Sequence, residues 1–160
     1  EPPTTEAFCL VLPAEGLQTP LVAEGSLRRW FSCSRHLCVC RSAKDIAGAL
    51  LRRGIEARCS FAEPRLALWL LDPDEKQAAS STVDAAASHD IRLQQADGTV
   101  LLDSALLEPE LRACVMSAWP ECFLALPLMV ALLSKLRAQL LADSFWQLEM
   151  PFAVVLAWME

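Results

Sequence analysis

The segment Ser42–Gly54 constrains the fold most, because it carries signals for both ends of a helix. Ser42 stands where an N-cap hydroxyl accepts a backbone hydrogen bond, and Asp45 follows at capping-box spacing. Ile46, Ala49 and Leu50 recur at helical spacing, and Gly54 stands where a left-handed residue closes a helix. A helix over Ser42–Arg53 is predicted, flanked by short apolar runs. His36–Cys40 (HLCVC) alternates around Val39 and reads as a strand, and Ile55–Ser60 reads as another. Pro64 suits the first turn of a following helix over Leu66–Leu71, which Asp72 and Pro73 end.

Upstream, Ala7–Leu12 is an apolar run closed by Pro13 and suits a buried strand, with a further strand at Thr19–Ala23. Ser26 is placed to cap a short helix through Ser32. Downstream, Lys76–Gly98 is polar and rich in Ala and Ser. It reads as a surface loop with a short helix near Val83–Ala87 and a turn at Asp97-Gly98. Helical pattern then dominates over Leu106–Ala118, Cys122–Leu141 and Ser144 to the end. Strands and helices alternate early and helices prevail late, so the class is α/β.

The longest apolar run, Cys122–Leu133, is twelve residues with Pro127 inside it. It is too short to span a bilayer and is expected as a buried core helix. The chain starts at Glu1 without a methionine and stops at Glu160 inside the apolar run Phe152–Met159, which reads as a piece of a longer protein.

Charge and thiols narrow the function classes. A net charge of −6, from 14 basic and 20 acidic residues, argues against a strongly cationic nucleic-acid surface. The arginines at 28, 29, 35, 41, 52, 53, 58 and 65 read as a solvated rim. Seven cysteines, an odd number scattered through apolar segments, suit reduced buried thiols in an intracellular protein. The acidic, proline-rich start has no signal-peptide pattern. Cys33, His36, Cys38 and Cys40 are soft ligands close in sequence, but their spacing is not that of a zinc knuckle. Asp72, Asp74 and Glu75 read as a helix-ending turn, and His89 beside Asp90 has no nucleophile at a strained elbow. The tryptophans at 30, 69, 119, 146 and 158 are not interleaved with basic residues and read mostly as core or interface anchors. With no P-loop and no G-x-G-x-x-G, a small-molecule ligand is not expected.

Two stretches resemble family A DNA polymerases, the group that includes bacterial DNA polymerase I and the nuclear polymerases nu and theta. In Val39–Asp72, Lys44, Gly54, Ile55, Leu66, Trp69, Leu70 and Leu71 fill the family's strand, helix, Gly-Ile and Leu-x-x-Trp-Leu-Leu places without a gap. In Phe145–Glu160, the residues Glu149, Met150, Pro151, Val155, Leu156, Met159 and Glu160 match the junction between exonuclease-like domain and polymerase thumb. The resemblance implies a ribonuclease-H-like exonuclease fold, a mixed sheet flanked by helices, over residues 1–143. It implies a connecting helix at the start of the thumb over 144–160.

In proofreading members of that family, four carboxylates hold two metal ions that clamp the attacking and leaving oxygens of a phosphodiester. Here the expected acids are missing. No Asp-x-Glu triplet occurs anywhere in the chain. The second motif's Asn and Asp places are occupied by Ser42 and Ile46, and Asp45 lies one residue early, turned by about 100° on a helix. The third motif's Tyr and Asp places fall on Phe123 and Pro127. Ile46 and Pro127 are expected to have joined the core.

The implied function is a catalytically silent exonuclease-like domain, with no metal or other cofactor in this chain. The parent would be a nuclear, Mg²⁺-dependent DNA polymerase of repair or translesion synthesis. The implied partners are the thumb and palm of that parent and, through it, DNA, with no membrane. Two alternatives stay open: an active metal-dependent nuclease using Glu6, Asp45 and Asp72, and a protein-interaction module using an apolar face of the C-terminal helices.

Overall fold

A computed structural model describes residues 24–74, 81–91 and 109–159. The elements run in the order α1 (Glu24–Phe31), β1 (Leu37–Val39), α2 (Ala43–Arg52), β2 (Ser60–Ala62), α3 (Pro64–Leu71) and α4 (Thr82–Ser88). Then follow α5 (Pro109–Ala138), α6 (Ala142–Ser144), a π turn (Phe145–Glu149) and α7 (Met150–Met159). The class is α/β, dominated by helices. Among the described residues one sheet is present, a parallel pair with Leu37 opposite Ser60, Cys38 opposite Phe61 and Val39 opposite Ala62. Parallel strands need a crossover rather than a hairpin, and α2 provides it. The strands expected at Ala7–Leu12 and Thr19–Ala23, and the turn at Asp97-Gly98, lie outside the described residues.

Helix α2 forms as its sequence dictates. The Ser42 hydroxyl accepts the Asp45 N–H at 3.2 Å. At the other end Gly54 adopts φ +66°. Its N–H donates to the Leu51 carbonyl at 2.8 Å, and the Ile55 N–H donates to the Leu50 carbonyl at 2.9 Å. The Arg28 guanidinium donates to the Gly54 carbonyl at 2.8 Å, setting a cation at the negative end of the helix dipole. The same left-handed closure ends α4 at Asp90 (φ 57°) and α5 at Leu140 (φ 61°). In all three the next residue, Ile55, Ile91 or Leu141, is apolar and packs into or against the core.

That closure explains why the strand expected at Ile55–Ser60 begins only at Ser60. The Ile55 N–H is spent on the helix end, and the Arg58 and Cys59 N–H groups both donate to the Phe31 carbonyl, at 2.8 and 3.0 Å. Helix α1 starts at Glu24, so Ser26 lies inside its first turn rather than capping it. A serine there costs only a few tenths of a kcal/mol of helix propensity.

The two late helices expected at Leu106–Ala118 and Cys122–Leu141 are one helix, α5, with Pro120 and Pro127 inside it. Seven residues make nearly two turns, so both prolines share a side of the helix. Leu124, Ala125, Leu128, Met129, Leu132 and Leu136 form the inner face, while Phe123, Pro127 and Val130 are exposed. Pro127 therefore did not join the core. Its missing N–H frees the Phe123 carbonyl on a side that water reaches, where the loss is least costly. The run Cys122–Leu133 is buried along one face only.

The core forms where α2 packs on α7 and where α3 and α4 pack on α5. Phe31, Leu50, Ile55, Leu128, Leu132 and Phe145 are its largest fully buried side chains, along with Met129 and Leu136.

Candidate functional site

Helix α2 carries the second-motif positions. Ser42 is the N-cap, and Asp45 is exposed in the first turn. Ile46 is half-buried and packs against the core. The third-motif positions Phe123 and Pro127 lie on the outer side of α5, where Phe123 is 44% exposed. Helix α2 packs on α7, whereas α5 packs on α3 and α4. The two sets of positions thus belong to different packing contacts, and the residues in them are hydroxyl, hydrocarbon and one outward carboxylate.

The acids nearest the start of α2 act on the backbone. Glu63, just before α3, accepts the Ala43 N–H through Oε2 at 3.0 Å. Ser42 and Glu63 together satisfy two of the donors that a helix N-terminus leaves open. Burial pushes the Glu63 carboxyl up from its ordinary value of 4.5, against the pull of the Ala43 N–H and of Arg65, and Asp45 nearby pushes it further. Helix α4 repeats the device. The Ser81 hydroxyl accepts the Asp84 N–H at 3.1 Å, and Glu121 of α5 accepts the Thr82 N–H through Oε2 at 3.0 Å. Glu63 and Glu121 lie 20 and 39 residues from their donors, so no local spacing announced them.

Asp72 ends α3 and accepts the Asp74 N–H at 3.2 Å. It lies at the far end of α3 from Glu63, roughly 13 Å along a helix of that length. Glu6, Glu75 and the acids between 92 and 108 lie outside the described residues. Among the described residues no three or more His, Cys, Asp or Glu side chains converge as a metal site requires.

The soft ligands around β1 are used in packing. The His36 Nδ1–H donates to the Trp30 carbonyl at 2.9 Å, and the two rings lie 4.8 Å apart at 30°. Cys38 lies in β1 and Cys40 just past its end, and Cys40 and Cys59 are buried. A hydrogen bond from the Cys40 thiol holds Cys38 below the ordinary thiol range, with burial opposing it. That bond needs the Cys40 proton, so it and burial push Cys40 far up. Burial raises Cys59 to about 12. His89 closes α4, and the Lys135 ammonium donates to its Nδ1 at 2.8 Å. Asp90, in the left-handed closing place, is a structural turn residue.

The matched junction residues fall on the main irregularity of the fold. Glu149 ends the π turn, in which the Met150 N–H donates to the Phe145 carbonyl five residues back. Met150 is buried and Pro151 exposed. A proline ring clashes with the carbonyl four residues before it, here that of Gln147, and a widened turn relieves the clash. Sequence reading placed a plain helix from Ser144 and missed this turn, although Pro151 signals it. On α7, Met150, Ala153, Val154 and Ala157 face the core. Leu148, Phe152, Val155, Trp158 and Met159 face outward, so Trp158, like Trp69, is no core anchor. No described helix is long and apolar enough to cross a membrane.

Against family models, curated proteins and solved structures, the chain matches none.

Proposed function

We propose that the chain is a catalytically silent exonuclease-like domain, of ribonuclease-H-like type, that supports the polymerase portion of a nuclear family A DNA polymerase of the nu or theta kind. The parent would be a Mg²⁺-dependent DNA polymerase of repair or translesion synthesis. The thumb and palm would be this domain's partners, and DNA would be reached through them. The observation that carries the reading is the chemistry of the motif positions. Ile46 packs against the core, and Phe123 and Pro127 are hydrocarbon on the outside of α5. None of the three offers the oxygen ligand that a hard divalent cation requires. Glu149, Met150 and Pro151 bound the π turn that leads into α7, and α7 is apolar on every side. A helix of that kind is normally covered on every side, and the thumb would cover the outer one.

The test is incubation of the purified chain with 5′-labelled single-stranded DNA in Mg²⁺ or Mn²⁺. The labelled strand is expected to keep its length. Shortening that disappears in Asp45→Ala would refute the reading in favour of the nuclease with a non-standard acid set.

A further inference from the structure

Leu148, Phe152, Val155 and Met159 recur at spacings of four, three and four residues and form one exposed seam along the π turn and α7, with Trp158 beside it. That spacing is the seam of a paired helix. Their exposures are 65%, 58%, 51% and 76%, with Trp158 at 65%. At about 200 Å² per large side chain, they leave roughly 600 Å² of apolar surface. That is the upper end of the largest patch found on monomers. Two such faces bury about 1,200 Å², above the roughly 1,000 Å² that a specific interface needs. The helix Met150–Met159 carries no charged residue, so nothing on it opposes contact with its like.

The seam is also complementary to itself. Laid antiparallel about a two-fold axis, it sets Phe152 of one copy against Val155 of the second, and Leu148 against Met159. A large ring then meets a small branched side chain on both sides of the axis, and the pairing closes after two copies.

We propose that this chain forms a two-fold dimer through the outer face of α7. The proposal concerns the 160-residue chain by itself and does not rest on the polymerase reading: in the parent the thumb would take this same face in place of the second copy, and the nuclease assay leaves the dimer untouched. Sedimentation of the 160-residue chain over about 1 to 100 μM is expected to show a dimer. Phe152→Glu and Val155→Lys should each weaken it about 30-fold or more, with unchanged helical circular dichroism. Mixing these two variants should restore dimers, because the introduced carboxylate of one copy would then face the introduced ammonium of the other. A wild-type monomer at the highest concentration would overturn the proposal. So would a dimer indifferent to Phe152→Glu, open-ended assemblies, or variants that fail to pair when mixed.

Discussion

Leu140 holds a backbone conformation that suits glycine, and replacing it should stabilise the protein. Its φ is 61°, and it is 88% exposed. Its N–H donates to the Arg137 carbonyl at 3.1 Å, while Leu141 donates to the Leu136 carbonyl at 2.8 Å. A side chain in this left-handed region costs about 1–2 kcal/mol. Glycine removes that cost but frees the unfolded chain, which costs about 0.4–1 kcal/mol. Because the side chain is almost fully in water, little burial is lost. Leu140→Gly should therefore gain about 0.5–1 kcal/mol, or roughly 1–4 °C in Tm for a chain of this size. Gly54→Ala is the mirror experiment. Gly54 has φ +66° and open space where a Cβ would sit, so its penalty of about 1 kcal/mol is conformational alone. Urea unfolding followed by circular dichroism gives both differences. A fall in the midpoint for Leu140→Gly would refute the reasoning, because it would mean that the leucine side chain holds the turn.

Glu63, raised by burial, is protonated more readily folded than unfolded. Its contribution is therefore complete below about 4.5 and is lost as pH rises through its higher folded value. Glu63→Gln should flatten that slope while keeping the Ala43 hydrogen bond, and Glu63→Ala, which flattens it too but loses that bond, should cost about 1 kcal/mol near pH 4 and less as pH rises; urea midpoints from pH 4 upward decide both. The Cys38 thiolate is favoured by its neighbour, whereas Cys40 and Cys59 are held protonated. Brief iodoacetamide treatment at pH 8 should thus label Cys38 before Cys40 and Cys59, as read by peptide mass, and faster labelling of Cys59 would contradict the described burial.

How much of this was legible depends on how far apart the cooperating residues lie. Ser42, Asp45 and Gly54 announce α2 because a cap and a closing glycine act between groups only three to five residues apart. Ile55 misled because its apolar side chain serves a helix end as well as it would serve a strand. The gap between the two expected late helices falls at Pro120, yet a helix of 30 residues absorbs that proline, and Pro127 with it, when its neighbours hold one face. The α/β class was readable from the alternation of segments. The carboxylates Glu63 and Glu121 were not, since only the folded chain brings them to Ala43 and Thr82. At the motif positions the sequence told the chemistry of each side chain, but not that Pro127 would face water.

The π turn before α7 has a consequence for how that helix is aimed. It holds one residue more than an α-helical turn, and one residue is about 100° of rotation. Since α7 is oily all the way round, its own composition does not choose which stripe meets α2. The choice is made upstream, where the widened turn sets the angular phase. Removing one residue from Phe145–Glu149 would swivel the helix like a key, turning inward residues that now meet water.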